Sequence, residues 1–207
     1  MIGIFGGTFD PIHFGHLRSA SEVKLKLDLE ALYLVPAASP PHRPSPVATS
    51  DQRMAMLELA LIEFPELEAD DRELRRGGTS YTVDTLQAYR AEYPLASLAL
   101  LMGVDAFGGI ESWHQWQRLP ELAHIIVMQR PGWEPEKLND WAAVRTASSV
   151  TELASSPAGK FLFYPVAPQA ISATEIRRAL VERRSVSDLL PSSVLDYIQQ
   201  NHIYTDN

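Results

Sequence analysis

Short apolar runs alternate with longer amphipathic stretches along most of this chain. Met1 to Phe5 is an apolar run that stops at Gly6-Gly7, as a buried strand does at a tight turn. A helix is predicted to open near Phe14 to His16, with Leu17, Ala20 and Leu27 on its inward stripe. Ala31 to Pro36 reads as a second buried strand, and the prolines that follow (Pro36, Pro40, Pro41, Pro44 and Pro46) exclude regular structure beyond it. Ser50 suits the N-cap of the next helix, in which Met54, Leu57, Leu61 and Phe64 recur at helical spacing before Pro65 stops it. Glu66 to Leu74 is ambiguous in pattern and compatible with an exposed edge strand. Thr82 to Glu92 reads as a helix, and Ser97 to Gly103, His124 to Arg130 and Lys160 to Val166 read as buried strands. Two helices close the chain, one from Ser172 and one from Pro191, where proline suits the first helical position.

Strands alternating with helices predict an α/β fold, a Rossmann-like parallel sheet with helices on both faces. Right-handed crossovers then set the strand ends along one edge, and ligands bind at the carboxyl ends where the strand order reverses. No internal repeat is present, and 207 residues suit a single domain spanning 1–207. Gly132 to Gly159 is the least patterned segment, an interface or only a long surface connection, and it is not read as a separate domain.

Composition narrows the chemistry. A hydrophobic fraction of 45% supplies an ordinary core, while a net charge of −8 argues against a nucleic-acid partner and leaves room for a small basic cluster around phosphates. With no cysteine, disulfides, thiolate metal sites and a thiol nucleophile are excluded. The N-terminus lacks a basic n-region, and no apolar run approaches the ~18 residues of a bilayer span. The expectation is a cytoplasmic chain with no membrane partner. Its oligomeric state is not legible from the sequence.

The most informative stretch is GGTFDPIHFGH, Gly6 to His16, which follows the first predicted strand and opens the first helix. Backbone N–H groups and the helix dipole favour an anion at such a place. Gly6 and Gly7 let a ligand approach the backbone, and Asp10-Pro11 signals a turn. His13 and His16 are three apart, so both can face one anion, and Gly15 leaves room for a planar base or ribose. Neither the Walker pattern nor G-x-G-x-x-G is present.

This stretch resembles the H-x-G-H signature of the small adenylyltransferases and cytidylyltransferases with a Rossmann-like nucleotidyltransferase fold. The resemblance implies that an acceptor phosphate attacks the α-phosphorus of ATP directly, pyrophosphate leaves, and Mg2+ travels on the ATP phosphates, with no metal ligand assigned to the protein. It implies that His13 and His16 meet the triphosphate, with Gly6, Gly7, Thr8 and Phe9 lining the ATP site. Such chemistry needs alignment and donors on the oxygens that gain charge, not a covalent nucleophile.

A second stretch, ISATEIRR from Ile171 to Arg178, has capping-box spacing between Ser172 and Glu175 and an arginine within the first turns of a helix. It resembles the family's I-S-x-T-x-I-R motif, matched at Ser172, Thr174 and Arg177, in which the serine and arginine contact the ATP phosphates.

Further stretches resemble the nicotinate mononucleotide adenylyltransferase branch. VPAASPPHR (Val35 to Arg43) is similar to its V-P-A-x-x-P-P-H-K loop, with Arg43 in place of lysine and a different donor geometry for ATP. SYTVDTL (Ser80 to Leu86) resembles the segment that meets the nicotinate carboxylate through Tyr81 and Thr82. MGVDAF resembles the family's G-x-D, which implies that Gly103 lies against ATP and Asp105 bonds a ribose hydroxyl. In SWHQW the resemblance places Trp113 on the pyridine ring, while Trp116 reads as core, and QRPGW (Gln129 to Trp133) is similar to the R-x-G segment. The implied partners are ATP and nicotinate mononucleotide. Nicotinamide mononucleotide or phosphopantetheine as acceptor, or a nucleotide-binding regulator without catalysis, stand as alternatives.

Overall fold

The computed structural model describes residues 1–41, 44–129 and 140–205. Six strands form one sheet: β1 (Ile2–Gly7), β2 (Ala31–Pro36), β3 (Glu68–Ala69), β4 (Leu98–Gly103), β5 (His124–Gln129) and β6 (Phe161–Pro165). All neighbouring strands pair in parallel, in the order β3-β2-β1-β4-β5-β6. The order therefore turns back between β1 and β4, which is the switch point of a doubly wound sheet.

Alternation along the strands divides the core in two. Phe5, Leu32, Leu34, Ala99, Leu101 and Ile126 point to one face, whereas Ile4, Val35, Leu100, Met102, Ile125 and Val127 point to the other. Helices α1 (Phe14–Lys26), α2 (Ser50–Leu61), α9 (Ala173–Val181) and α10 (Ser192–Gln200) cover the first face, and Leu153 of a further short helix adds to it. Between α2 and α9 the chain forms α3 (Arg72–Arg76), α4 (Thr82–Glu92), α5 (Val104–Gly108), α6 (Leu119–Leu122), α7 (Asp140–Ala143) and α8 (Val150–Ala154). Of these, α4 and α6 bury Val83, Leu86 and Leu119 against the second face.

Several boundaries differ from the sequence expectation by a residue, each with a cause. Gly6 and Gly7 belong to β1 itself, and their φ values are not left-handed. Thr49, not Ser50, caps α2: its hydroxyl accepts from the Gln52 N–H and the Gln52 side chain accepts from the Thr49 N–H. Met54 and Leu61 are only half-buried, beside a buried stripe of Arg53, Met56, Leu57 and Ala60. Pro191 stands at the N-cap of α10, one position before its predicted place. The ambiguous stretch resolves into the two-residue edge strand β3 followed by α3, a short edge that offers little backbone for unwanted pairing.

The described part of the poorly patterned segment is more than a surface connection. Leu153 is fully buried, and His124 at the start of β5 bonds the Ser156 carbonyl at 2.8 Å. Arg90 fastens the same corner, its Nη2 donating to the carbonyls of Leu122 (2.7 Å) and Pro157 (2.9 Å). Among the described residues no helix is long and apolar enough to cross a membrane.

Candidate nucleotide site

The carboxyl ends of β1 and β4 lie side by side at the switch point, and each ends in glycine. A Cβ added to Gly6 or to Gly103 would meet nothing within 4 Å, so both strand ends face open space. Gly7 behaves differently. Its missing side chain is taken up by the Phe9 ring, which would stand 2.5 Å from a Cβ there. Phe9 adopts a left-handed backbone (φ 49°) and buries its ring edge-on to His16, centroids 5.1 Å apart. The strained residue of the motif is thus Phe9, not a glycine. Its ring belongs to the core, which leaves only its backbone for a nucleotide, while Thr8 is half-buried beside it.

His13 is the N-cap residue of α1, yet its side chain caps nothing. Its backbone carbonyl instead accepts from the N–H groups of His16 and Leu17. The two imidazoles stack, centroids 3.8 Å apart and planes within 25°. His13 is buried, and burial pushes its pKa from 6.5 down to about 4. At neutral pH it is an uncharged ring, able to serve an anion through an N–H donor rather than through charge. Gly15 does not leave space for a base or ribose: the nearest atoms to a Cβ there are the His13 ring at 2.9 Å and the Ile171 carbonyl oxygen at 3.4 Å. That close approach sets the start of the second motif against the first.

Arg177 completes the meeting. Its Nη1 donates to the backbone carbonyl of Asp10 at 2.6 Å and lies 3.7 Å from an Asp10 carboxylate oxygen. One nitrogen of the guanidinium fork fixes it, and a guanidinium has further donors of the kind that suit phosphate oxygens. Ser172 caps α9, its hydroxyl accepting from the Glu175 N–H at 3.2 Å, which leaves its own proton to donate. The Glu175 carboxylate turns to Arg178 at 2.6 Å rather than back to the cap, so half of the expected capping box forms.

Tyr81 and Thr82, the residues expected on the acceptor side, stand at the start of α4. Tyr81 is its N-cap residue and no side chain caps it; the Asp84 and Thr85 N–H groups turn back to the Tyr81 carbonyl, at 3.1 and 3.3 Å, while the earlier amides at the helix start suit an anion. Ser80 does not cap either: its hydroxyl accepts from the Ala38 and Ser39 N–H groups, at 2.8 and 3.3 Å, and pins the proline-rich loop to α4. Trp113 is half-buried against the second core face, and the neighbouring His114 ring lies 4.4 Å from Tyr81. Trp116 packs on the same face, as expected of a core residue. Asp105 is exposed in the first turn of α5, whose N-cap is Gly103, so capping does not account for it. Arg43 and the R-x-G stretch after Gln129 lie outside the described residues.

Sequence reasoning overlooked the groups that hold this arrangement. Arg53 is 1% exposed, and its Nη1 donates to the Thr8 carbonyl at 2.8 Å. Burial lowers its pKa while nearby Asp10 raises it. Asp10 was a turn signal only, but its buried carboxylate accepts from the Val47 and Ala48 amides and from the Tyr204 hydroxyl. The readable sign for Arg53 was a cation on an apolar helical stripe with Leu57 and Ala60. For Tyr204, 194 residues from Asp10, no local sign existed.

An open crevice of backbone donors, stacked imidazoles and one tethered guanidinium suits phosphate chemistry without a protein nucleophile, which places the chain among the nucleotidyltransferases with a Rossmann-like sheet. More particularly, the chain belongs to the cytidylyltransferase-like family, whose model matches residues 4–179. It is 47% identical, over 99% of both chains, to a "probable nicotinate-nucleotide adenylyltransferase" of Methylococcus capsulatus. A protein of the same name from Pseudomonas paraeruginosa is 46% identical, across 98% of this chain and 96% of the relative. Among solved structures, the Plasmodium falciparum nicotinic acid mononucleotide adenylyltransferase complexed with NaAD aligns with a TM-score of 0.75 over 98% of this chain and 96% of that one. At 18% identity that likeness speaks for the fold alone.

Proposed function

We propose that the chain transfers AMP from ATP to nicotinate mononucleotide, forming nicotinate adenine dinucleotide (deamido-NAD) and pyrophosphate. The observation that carries the reading is the docking of Arg177 on the Asp10 carbonyl, which brings the N-terminal and C-terminal motifs together beside the switch point. Full-length relatives bearing that enzyme's name support the acceptor.

In this reading a phosphate oxygen of the acceptor attacks the α-phosphorus, forming one P–O bond as the bond to the bridging oxygen of pyrophosphate breaks. His13 and His16 donate to oxygens that gain charge, Arg177 and Ser172 hold the leaving triphosphate end, and Asp105 orients the ribose. Arg43 adds a second cation to the phosphates. Gly6, Gly7, Thr8, Phe9 and Gly103 offer bare or backbone surface to ATP. The α4 amides at Tyr81 and Thr82 receive the nicotinate carboxylate while Trp113 covers the pyridine ring. Magnesium carried in on ATP would neutralise charge on its phosphates. In this reading the chain's own groups bind the phosphate oxygens. The reaction belongs where ATP is made and used, and we place it in the cytoplasm.

The test is magnesium-dependent pyrophosphate release with nicotinate mononucleotide, nicotinamide mononucleotide and phosphopantetheine in parallel. Clear preference for the first is expected. Preference for another acceptor overturns the acceptor assignment, and silence with all three overturns the catalytic reading.

A further inference from the structure

We propose that Tyr204, near the end of the chain, is a positioning residue for the phosphate site: its hydroxyl holds the Asp10 carboxylate and so keeps Arg177 available to ATP. The inference rests on the reaction proposed above.

The segment that carries Tyr204 is tightly built. After α10 the Ile203 N–H bonds the Ile198 carbonyl at 3.0 Å, and His202 and Tyr204 take left-handed backbone conformations, φ 51° and 60°. Such a conformation is unfavourable for a bulky aromatic residue and persists where its surroundings over-determine it. Here the surroundings are the core, in which Tyr204 is only 6% exposed, and one polar partner, Asp10 Oδ1 at 2.7 Å. Burial, and next the bond to Asp10, hold the phenol well above its ordinary pKa, so it stays a donor.

Asp10 has four claims on it. Val47 and Ala48 donate their N–H groups to its carboxylate at 2.9 and 3.0 Å, Tyr204 donates its hydroxyl, and Arg177 donates to its carbonyl at 2.6 Å. The carboxylate lies only 3.7 Å from the same guanidinium nitrogen. Carboxylate and guanidinium form a strong bidentate pair when geometry permits. Three donors on the carboxylate oppose that rotation. Removing the hydroxyl leaves a buried carboxylate short of one bond, with the Arg177 fork as the nearest replacement. An arginine paired in that way has fewer donors for ATP.

The experiment is a double-mutant cycle. Tyr204→Phe keeps the ring that fills the core and deletes only the hydroxyl. Turnover and the KM of each substrate are measured for wild type, Tyr204→Phe, Arg177→Ala and the double variant, at enzyme concentrations high enough to time the slower proteins. The expected result is a turnover loss of about tenfold in Tyr204→Phe, with the KM for nicotinate mononucleotide within about twofold, and little further loss in the Arg177→Ala background. Equal losses in both backgrounds, or a lower melting temperature with unchanged turnover, overturn the inference and leave Tyr204 a packing residue. If Tyr204→Phe does not fold, a folded Asp10→Asn tests the same idea with the opposite sign: with no carboxylate to draw Arg177 aside, turnover near wild type is expected, and a loss of about tenfold or more overturns the inference. Wild type that fails to use nicotinate mononucleotide defeats the proposed reaction itself, a result separate from the coupling between Tyr204 and Arg177.

Discussion

A methyl group added at Gly15 sets a gain in helix propensity against a collision, and the distances decide the outcome. Alanine in place of glycine inside a helix is worth about 0.5–1 kcal/mol, and less in the first turn where Gly15 stands. Against that, the new Cβ would lie 2.9 Å from both Cε1 and Nδ1 of His13. Ordinary contact is ~3.5–4.0 Å, so the overlap is roughly 0.6 Å or more. The His13 ring has little room to yield, being 4% exposed and stacked on His16 at 3.8 Å. The Ile171 carbonyl oxygen, 3.4 Å from the Cβ, is backbone and cannot swing aside as a side chain does. Overpacking of this kind typically costs ~1–3 kcal/mol, which exceeds the propensity gain. At ~2–4 °C per kcal/mol for a chain of this size, Gly15→Ala is expected to lower the melting temperature by a few degrees. The larger effect falls on chemistry, because the displaced ring is one of the proposed phosphate donors. A misplacement approaching 1 Å lowers turnover on the order of 10–100-fold. Thermal melting and pyrophosphate release at saturating substrates measure both. A Gly15→Ala protein that melts no lower than wild type and turns over at full rate would refute the confinement of His13.

Three further outcomes are expected. His16→Ala should lower turnover by about 100-fold or more while the KM for nicotinate mononucleotide changes little, as steady-state kinetics will show. Arg53→Met should destabilise the fold by roughly 2–4 kcal/mol in urea unfolding, since it strips a buried donor from the Thr8 carbonyl. Stability should also fall with pH between about 6.5 and 4, because the unfolded chain protonates His13 first and the folded chain only near pH 4. At about 1.4 kcal/mol per pKa unit, His13 accounts for roughly 3 kcal/mol across that window, and His124, lowered by burial, adds in the same direction. Urea unfolding of wild type and His13→Gln at pH 7 and 4.5 checks this: the variant should lose less, and an equal loss would count against the buried neutral His13.

The strands were readable because both faces of a parallel sheet are covered, so each strand appears as an uninterrupted apolar run such as Ala31–Pro36 or His124–Gln129. Helix starts were readable within a residue, and the miss at Thr49 came from two adjacent hydroxyl residues of which only one is spaced for Gln52. The candidate residues came from motif resemblance, and their setting was much less legible. That Gly7 and Gly15 make room for the Phe9 and His13 rings, not for ligand, depends on side-chain directions that spacing does not reveal. The joining of Arg177 to Asp10 spans 167 residues and is decided by tertiary packing alone. Arg53 was the one supporting residue with a local sign, a lone cation on an apolar stripe.

The most direct test of the central claim follows the α-phosphorus. Incubating the protein with nicotinate mononucleotide, magnesium and ATP labelled at the α-phosphate should move the label into a dinucleotide, release unlabelled pyrophosphate and leave no label on the protein. Label retained in ATP, or bound covalently to the chain, would contradict direct adenylyl transfer at this site.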